Sequence, residues 1–239
     1  MKIDDPAYVE RQYASERNLA ARKAFYDEIA GDDAREIAFA AVAEAAPASV
    51  LEVGCGEGEL AARMQTALGA QLVAIDQSAR MVEIARGRGI DAWVGDVQAL
   101  PFDDGSFDAA VAAWVLFHVP DLDLGIGELA RVLRPRGRLV AVTNYADHLF
   151  EMFELAGALE QRFVLTFGAE DGEEHLSRHF ARVERRDANG TVTVRSADAI
   201  RSYLRSAERL APFADSLPEL EEPLVARRRQ AVFIAEKAA

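Results

Sequence analysis

The chain has 239 residues, half of them hydrophobic, so it can bury a large core and is not disordered as a whole. Its formal charge of −13 works against nucleic-acid phosphates or an anionic membrane surface as partners. The single cysteine, Cys55, excludes an intramolecular disulfide and a cysteine-based metal cluster, and no metal-ligand set is expected.

Met1-Lys2-Ile3-Asp4-Asp5-Pro6 lacks the apolar core of a signal peptide, and no apolar run approaches the ~20 residues of a membrane span. The expectation is a soluble cytoplasmic protein. Residues 5–46 have helical spacing, with Tyr8, Tyr13, Leu19, Phe25, Tyr26 and Ile29 as apolar positions and a break at Gly31-Asp32-Asp33. Ala34–Ala46 carries Ile37, Phe39 and Val42, and Pro47 ends it.

Val50-Leu51-Glu52-Val53 is a short apolar run that breaks into Gly54-Cys55-Gly56-Glu57-Gly58, and Leu60, Ala61, Met64 and Leu68 follow at helical spacing. This is a strand, a tight turn and a helix start. Glycines there let a ligand approach the backbone and tolerate positive φ. Gln71–Asp76 is a second strand that ends on a carboxylate about 20 residues past the glycines, where it can accept hydrogen bonds from ribose hydroxyls. Ser78 is placed to cap the next helix, which runs through Met81.

Ile90–Val94 is a third strand followed by Gly95-Asp96-Val97, with Asp96 positioned to meet the exocyclic amine of an adenine. After a turn-rich link, Ala109–Leu116 is a near-continuous apolar run suited to a buried parallel strand. Phe117-His118-Val119-Pro120 leaves it at the same end as the glycines. A helix to about Leu133, weakened by Gly125 and Gly127, leads to the turn Leu133–Gly137 and a fifth strand, Arg138–Asn144. Strands alternating with helices predict a parallel sheet covered on both faces.

Beyond Tyr145 the rhythm changes. His148–Phe163 and Leu165–Gly172 form an insert expected to cap the ligand end, ahead of a strand at Ala181–Arg186. Thr191–Arg195 is a separate short strand, Ala197–Leu210 and Leu217–Arg228 are helices, and Gln230–Glu236 is a last strand. Arg227-Arg228-Arg229 has the composition of a solvated face.

These segments together resemble the class I S-adenosylmethionine-dependent methyltransferases, specifically the methyltransferase type 11 subgroup. The resemblance rests on Val50–Gly58, on Val73–Ser78 with Met81, on Gly95–Phe102 with Ser106-Phe107-Asp108, and on Leu129–Leu139, and it covers residues 48–144. It implies an α/β, Rossmann-like, seven-stranded and mainly parallel sheet in the order 3-2-1-4-5-7-6. Strand 7 would be antiparallel, with helices on both faces and a helical lid. Residues 1–239 would then be a single methyltransferase domain with an N-terminal lid at 1–46, a cofactor core at 48–144 and a lid insert at 145–180.

The resemblance also implies a cofactor, S-adenosyl-L-methionine, leaving as S-adenosyl-L-homocysteine. Gly54, Gly56 and Gly58 would lie along its methionine portion with Glu52 near the amino group, and the Ala113 carbonyl and Trp114 would contact the same end. Asp76 would hold the ribose, Gln77 and Met81 would flank the adenine, and Asp96 with the Val97 amide would read its edge. The family usually has glycine where Arg136 stands.

The acceptor is expected to be a small molecule with an oxygen or nitrogen nucleophile and apolar or aromatic character, held by Tyr13, Tyr26, His118 and Tyr145. A hydroxyl acceptor benefits from a base. His118 is the first candidate, and His148 and Tyr145 follow. The rival readings are a non-catalytic S-adenosylmethionine-binding module acting through partner contacts and a nicotinamide-dependent oxidoreductase. The last glycine, two residues after the second rather than three, disfavours the oxidoreductase.

Overall fold

The computed structural model describes residues 4–13, 16–26, 28–161 and 165–239. The start of the chain, Met1–Ile3, and Phe163 at the end of the first insert segment lie outside the described residues. In chain order the elements are α1 (Pro6–Tyr13), α2 (Glu16–Phe25), β1 (Ile29–Gly31), α3 (Ala34–Glu44), β2 (Ser49–Val53) and α4 (Glu59–Leu68). Then come β3 (Gln71–Asp76), α5 (Ala79–Gly87), β4 (Asp91–Val94), β5 (Phe107–Ala113), α6 (Leu122–Val132) and β6 (Leu133–Asn144). The last third holds α7 (Phe150–Leu155), α8 (Gly172–Ser177), β7 (Arg182–Val194), α9 (Ala197–Arg205), α10 (Ala211–Ala214) and β8 (Leu224–Glu236).

One sheet runs β1-β7-β8-β6-β5-β2-β3-β4. Its β4-β3-β2-β5-β6-β8-β7 portion is the expected seven-stranded order, with β8 antiparallel to both neighbours. The eighth strand is new. β1 falls where the sequence suggests only a helix break, and it pairs antiparallel with β7 through Ile29, Ala30 and Gly31. Close backbone approach selects the glycines: a Cβ on Gly31 would sit 2.5 Å from the Asn189 carbonyl oxygen, and one on Gly190 would collide with the Ala30 carbonyl.

Strand periodicity sorts the core into two layers. Leu51, Val53, Ala110, Ala112, Leu139 and Ala141 point to a face covered by Ile126, Leu129 and Val132 of α6. Val50, Ala109, Val111, Val140 and Val142 point to the other, where Ala38 and Ala41 of α3 and Met64 of α4 pack. Ser78 caps α5 as expected, its side chain accepting the Met81 amide. A third cluster, around Phe25, Phe153, Val192, Ile200 and Leu204, ties α2, α7 and α9 together against β7.

Two expectations for the last third are corrected. Ala181–Arg186 and Thr191–Arg195 belong to one 13-residue strand, β7. The helix expected at Leu217–Arg228 is absent, and β8 already begins at Leu224. The burial of β8 alternates through Ala226, Arg228 and Gln230, so a strand with one polar-bearing inner face imitates a charged helix in composition alone.

Candidate active site

The glycine turn sits where β2 ends. Gly54, Gly56 and Gly58 all have positive φ, at 65°, 52° and 73°. Gly54 is set against the Val115 side chain, and a Cβ on Gly58 would come 2.9 Å from the Ala85 Cβ. Gly56 differs, since a Cβ there would meet only the Leu19 Cδ2 at 3.9 Å, so its open side faces α2. The Gly56 amide donates to Asp76 Oδ2 at 2.9 Å, and the Ser78 amide donates to Asp76 Oδ1 at 2.8 Å. These bonds hold the β3 carboxylate beside the turn.

Glu52 is 3% exposed, and its Oε2 has no hydrogen-bond partner among the described residues. Burial pushes its carboxyl up to about 8, and the nearby Asp76 adds to the rise. Burial likewise raises Asp76, while the Ser78 and Gly56 amides oppose it. A cavity of about 230 Å³ opens beside Glu52, bounded by Gly54, Cys55, Ala113 and Trp114 and roofed by Leu19 and Lys23 of α2. Lys23 holds that roof down through ion pairs to Glu57 and Glu59.

A second cavity, of about 260 Å³, lies on the other side of Trp114. Tyr8, Tyr13, Tyr26, Phe117, His118 and Tyr203 form much of its wall, and Leu19, Lys23, Arg35 and Trp114 border both cavities. Trp114 has φ 56°, strained for an aromatic residue. It is held there by its amide to the Val142 carbonyl and by its indole N–H to Asn144 Oδ1 at 3.2 Å. His118 ends a tight helical turn after β5 and places Nε2 3.2 Å from the Tyr13 hydroxyl, which also accepts from Arg22 at 3.3 Å.

Tyr13, Tyr26 and His118 therefore meet in one cavity, whereas His148 and Tyr145 line neither. His148 is 1% exposed; its Nδ1 accepts the Arg229 amide and its Nε2 bonds the Tyr26 hydroxyl at 2.9 Å. Burial drives its pKa down to about 3, so it is a neutral structural post. Tyr145 donates to Asp187 at 2.7 Å, and Arg229 covers its ring. None of the described residues of the insert at 145–180 borders either of these two cavities. Residues of α1, α2 and α9 with the segment after it supply much of the second cavity's wall.

The adenine-side expectations come out unevenly. Met81 and Val97 are buried and Gln77 is exposed. Both oxygens of Asp96 already accept from the Gln98 amide, so an adenine amine would have to share them. Arg228 is missed by the sequence reading. It is 4% exposed and lines the second cavity, while its neighbours Arg227 and Arg229 turn outward to Asp147. Strand alternation across Arg227-Arg228-Arg229 is the signal that finds it.

Residues 51–141 match the family model described as a methyltransferase domain. Over those residues the chain carries a methyltransferase domain, with the class I fold. That class uses S-adenosylmethionine, and the residues present fit it: an unpartnered buried carboxylate oxygen on Glu52 suits an ammonium group, and Gly56 leaves its side of the turn open.

The relatives match only part of this chain. An O-methyltransferase, cnsE, of Penicillium expansum is 38% identical over 107 residues, which is 41% of this chain and 39% of that protein. The methyltransferase GfsG of Streptomyces halstedii is 34% identical over 144 residues, 57% of this chain and 51% of its own. The chain spans about half or less of the length of the curated relatives it matches. Among solved structures, the 4+2 cyclase SpnF superposes with TM-score 0.68 over 99% of this chain and 96% of its own at 19% identity, a likeness of fold. No helix of the described residues is long and apolar enough to cross a membrane.

Proposed function

We propose that this methyltransferase domain moves the methyl group of S-adenosylmethionine to an oxygen or nitrogen nucleophile of a small, partly aromatic molecule held in the Tyr13–His118 cavity. The observation that carries this reading is the pair of cavities on either side of Trp114, one built on Glu52 and the glycine turn, the other on aromatic side chains and a histidine.

Glu52 and the Gly54–Gly58 turn would hold the amino-acid end of the cofactor, and Asp76 its ribose. The bound cofactor supplies an electrophilic methyl group on a sulfonium. The protein's part is alignment and exclusion of water, which α2 provides by closing over both cavities through Lys23. The Tyr13 hydroxyl, which accepts from Arg22, shares a hydrogen bond with His118 Nε2, and in the tautomer protonated at Nδ1 that nitrogen keeps a lone pair. An acceptor hydroxyl replacing Tyr13 at Nε2 would pass its proton there, so His118 is the general base for hydroxyl acceptors.

The protein's likeness in fold to a cyclase makes transfer itself the quantity to measure, since one fold hosts several chemistries. The test is transfer of a radiolabelled methyl group from S-adenosylmethionine across a panel of phenols, alcohols and amines, beside calorimetric binding of S-adenosylhomocysteine. Transfer to a hydroxyl acceptor that falls in His118→Ala supports the reading. Tight cofactor binding with no transfer across the panel replaces it with a non-catalytic binding module.

A further inference from the structure

The second cavity of this acidic protein is lined by positive charge. Arg22, Lys23, Arg35, Arg209 and Arg228 border it against one carboxylate among the described residues, Asp33. Lys23 is neutralised by Glu57 and Glu59, and it and Arg35 also border the Glu52 cavity, where a cofactor carboxylate could engage them. Arg22 and Arg228 border the second cavity alone.

Both of these guanidiniums are held by neutral groups. Arg22 donates to Gln12 Oε1 at 2.8 Å, to the Ser206 hydroxyl and carbonyl at 3.1 Å each, and to the Tyr13 hydroxyl at 3.3 Å. Arg228, 4% exposed, reaches the Asp32 carbonyl, and its Nε has no hydrogen-bond partner among the described residues. A buried guanidinium is normally matched by a carboxylate or phosphate, whose planar or tetrahedral oxygens suit its fork. The two arginines come from α2 and β8 and act on the same neighbour. Burial raises the Tyr26 hydroxyl well above its ordinary pKa, and Arg228 and Arg22 both work against that rise.

We propose that Arg22 and Arg228 form an anion subsite in the acceptor cavity, so that the methyl acceptor carries a carboxylate or phosphate group beside its nucleophile. The assignment rests on the reading of this cavity as the acceptor site. The aromatic wall of Tyr13, Phe117 and Tyr203 takes the apolar remainder of the molecule.

The test uses the full chain saturated with S-adenosylhomocysteine and titrates three probes by calorimetry: 4-hydroxybenzoate, phenyl phosphate and the neutral 4-hydroxybenzamide. The expected result is that at least one anion binds about tenfold or more tightly than the amide. That preference collapses in Arg22→Gln and Arg228→Gln and is partly restored in Arg228→Lys. The benzoate and phosphate arms tell which anion the site takes.

Equal binding of all three probes, no binding of either anion, or a preference that survives both glutamine variants overturns the proposal. So does a loss of S-adenosylhomocysteine affinity in both folded variants, which would assign the arginines to the cofactor. If Arg228→Gln fails to fold, Arg22→Gln and Arg22→Lys decide alone. Because the readout is binding, an arginine-dependent preference without methyl transfer sinks the transferase reading only, and transfer to neutral acceptors at equal efficiency sinks the subsite only.

Discussion

The two cavities are built in opposite ways. The Glu52 side is made by successive strand ends, with Glu52 on β2, Asp76 on β3 and Ala113 on β5, all inside or near the matched segment. The aromatic cavity, proposed as the acceptor side, is gathered from α1, α2, the β5 exit, α9 and the residues after it, and β8. A backbone turn with fixed neighbours suits a ligand common to a whole class. A wall of side chains from distant segments can change its occupant without disturbing the sheet, and loops and caps carry specificity for that reason.

The sharpest way to break this contrast is Asp76→Ala, which is expected to weaken S-adenosylhomocysteine binding by about a hundredfold, through loss of charge-assisted bonds to the ribose and release of the Gly56 amide. Calorimetry reads it directly, and undiminished affinity removes Asp76 from the ribose role. His118→Ala acts on the other cavity: cofactor affinity should stay within about twofold while kcat toward a hydroxyl acceptor falls by ~10²-fold. A parallel loss of cofactor affinity would merge the two sites into one.

Stability against pH sharpens the comparison further, because Glu52 beside one cavity and His148 behind the Tyr26 wall of the other are buried groups shifted in opposite directions. The Glu52 pKa rises from 4.5 to about 8, so the folded chain keeps a proton that the unfolded chain loses. Stability therefore falls as pH rises from 4.5 toward 8, by roughly a few kcal/mol across that window. His148 drops from 6.5 to about 3, so the unfolded chain binds the extra proton and stability falls as pH decreases from 6.5 toward 3. Thermal unfolding of Glu52→Gln from pH 5 to 8 should show a flattened alkaline limb, and His148→Gln a flattened acid limb. An unchanged alkaline limb in Glu52→Gln would mean that the carboxyl is ionised in the fold.

The smallest effect concerns backbone. Arg136 stands in the left-handed region at φ 62°, where the resemblance calls for glycine. Arg136→Gly should stabilise the chain by about 0.5–1 kcal/mol, the relief of strain outweighing the added freedom of the unfolded chain, as denaturant midpoints would show. Trp114 shares the left-handed conformation, but Trp114→Gly would remove the partition between the cavities.

Legibility in the sequence follows the same division. β3 matches its expected bounds, Gln71–Asp76, and Ser78 caps α5, because local spacing and capping chemistry decide both. The sheet order is legible through the resemblance, except for β1, whose three residues carry no periodicity and whose pairing depends on Gly190 more than 150 residues away. His148 and Arg228 mislead for one reason: a polar residue in sequence carries no mark of whether tertiary packing will bury it. His148 is sealed under Tyr26 as a hydrogen-bonding post, and Arg228 turns inward from a triplet that looks solvated.

The β1–β7 pairing has a consequence for how this protein can be rebuilt. Gly31 and Gly190 face each other so closely that a side chain on either would strike the other's strand, and Asp32 receives the Asn189 amide while its carbonyl takes Arg228. The first and last thirds of the chain are thus stitched together beside the strands that carry the glycine turn. A chimera that grafts only the N-terminal helices onto another sheet would arrive without its seam, and a stable graft must supply both ends at once.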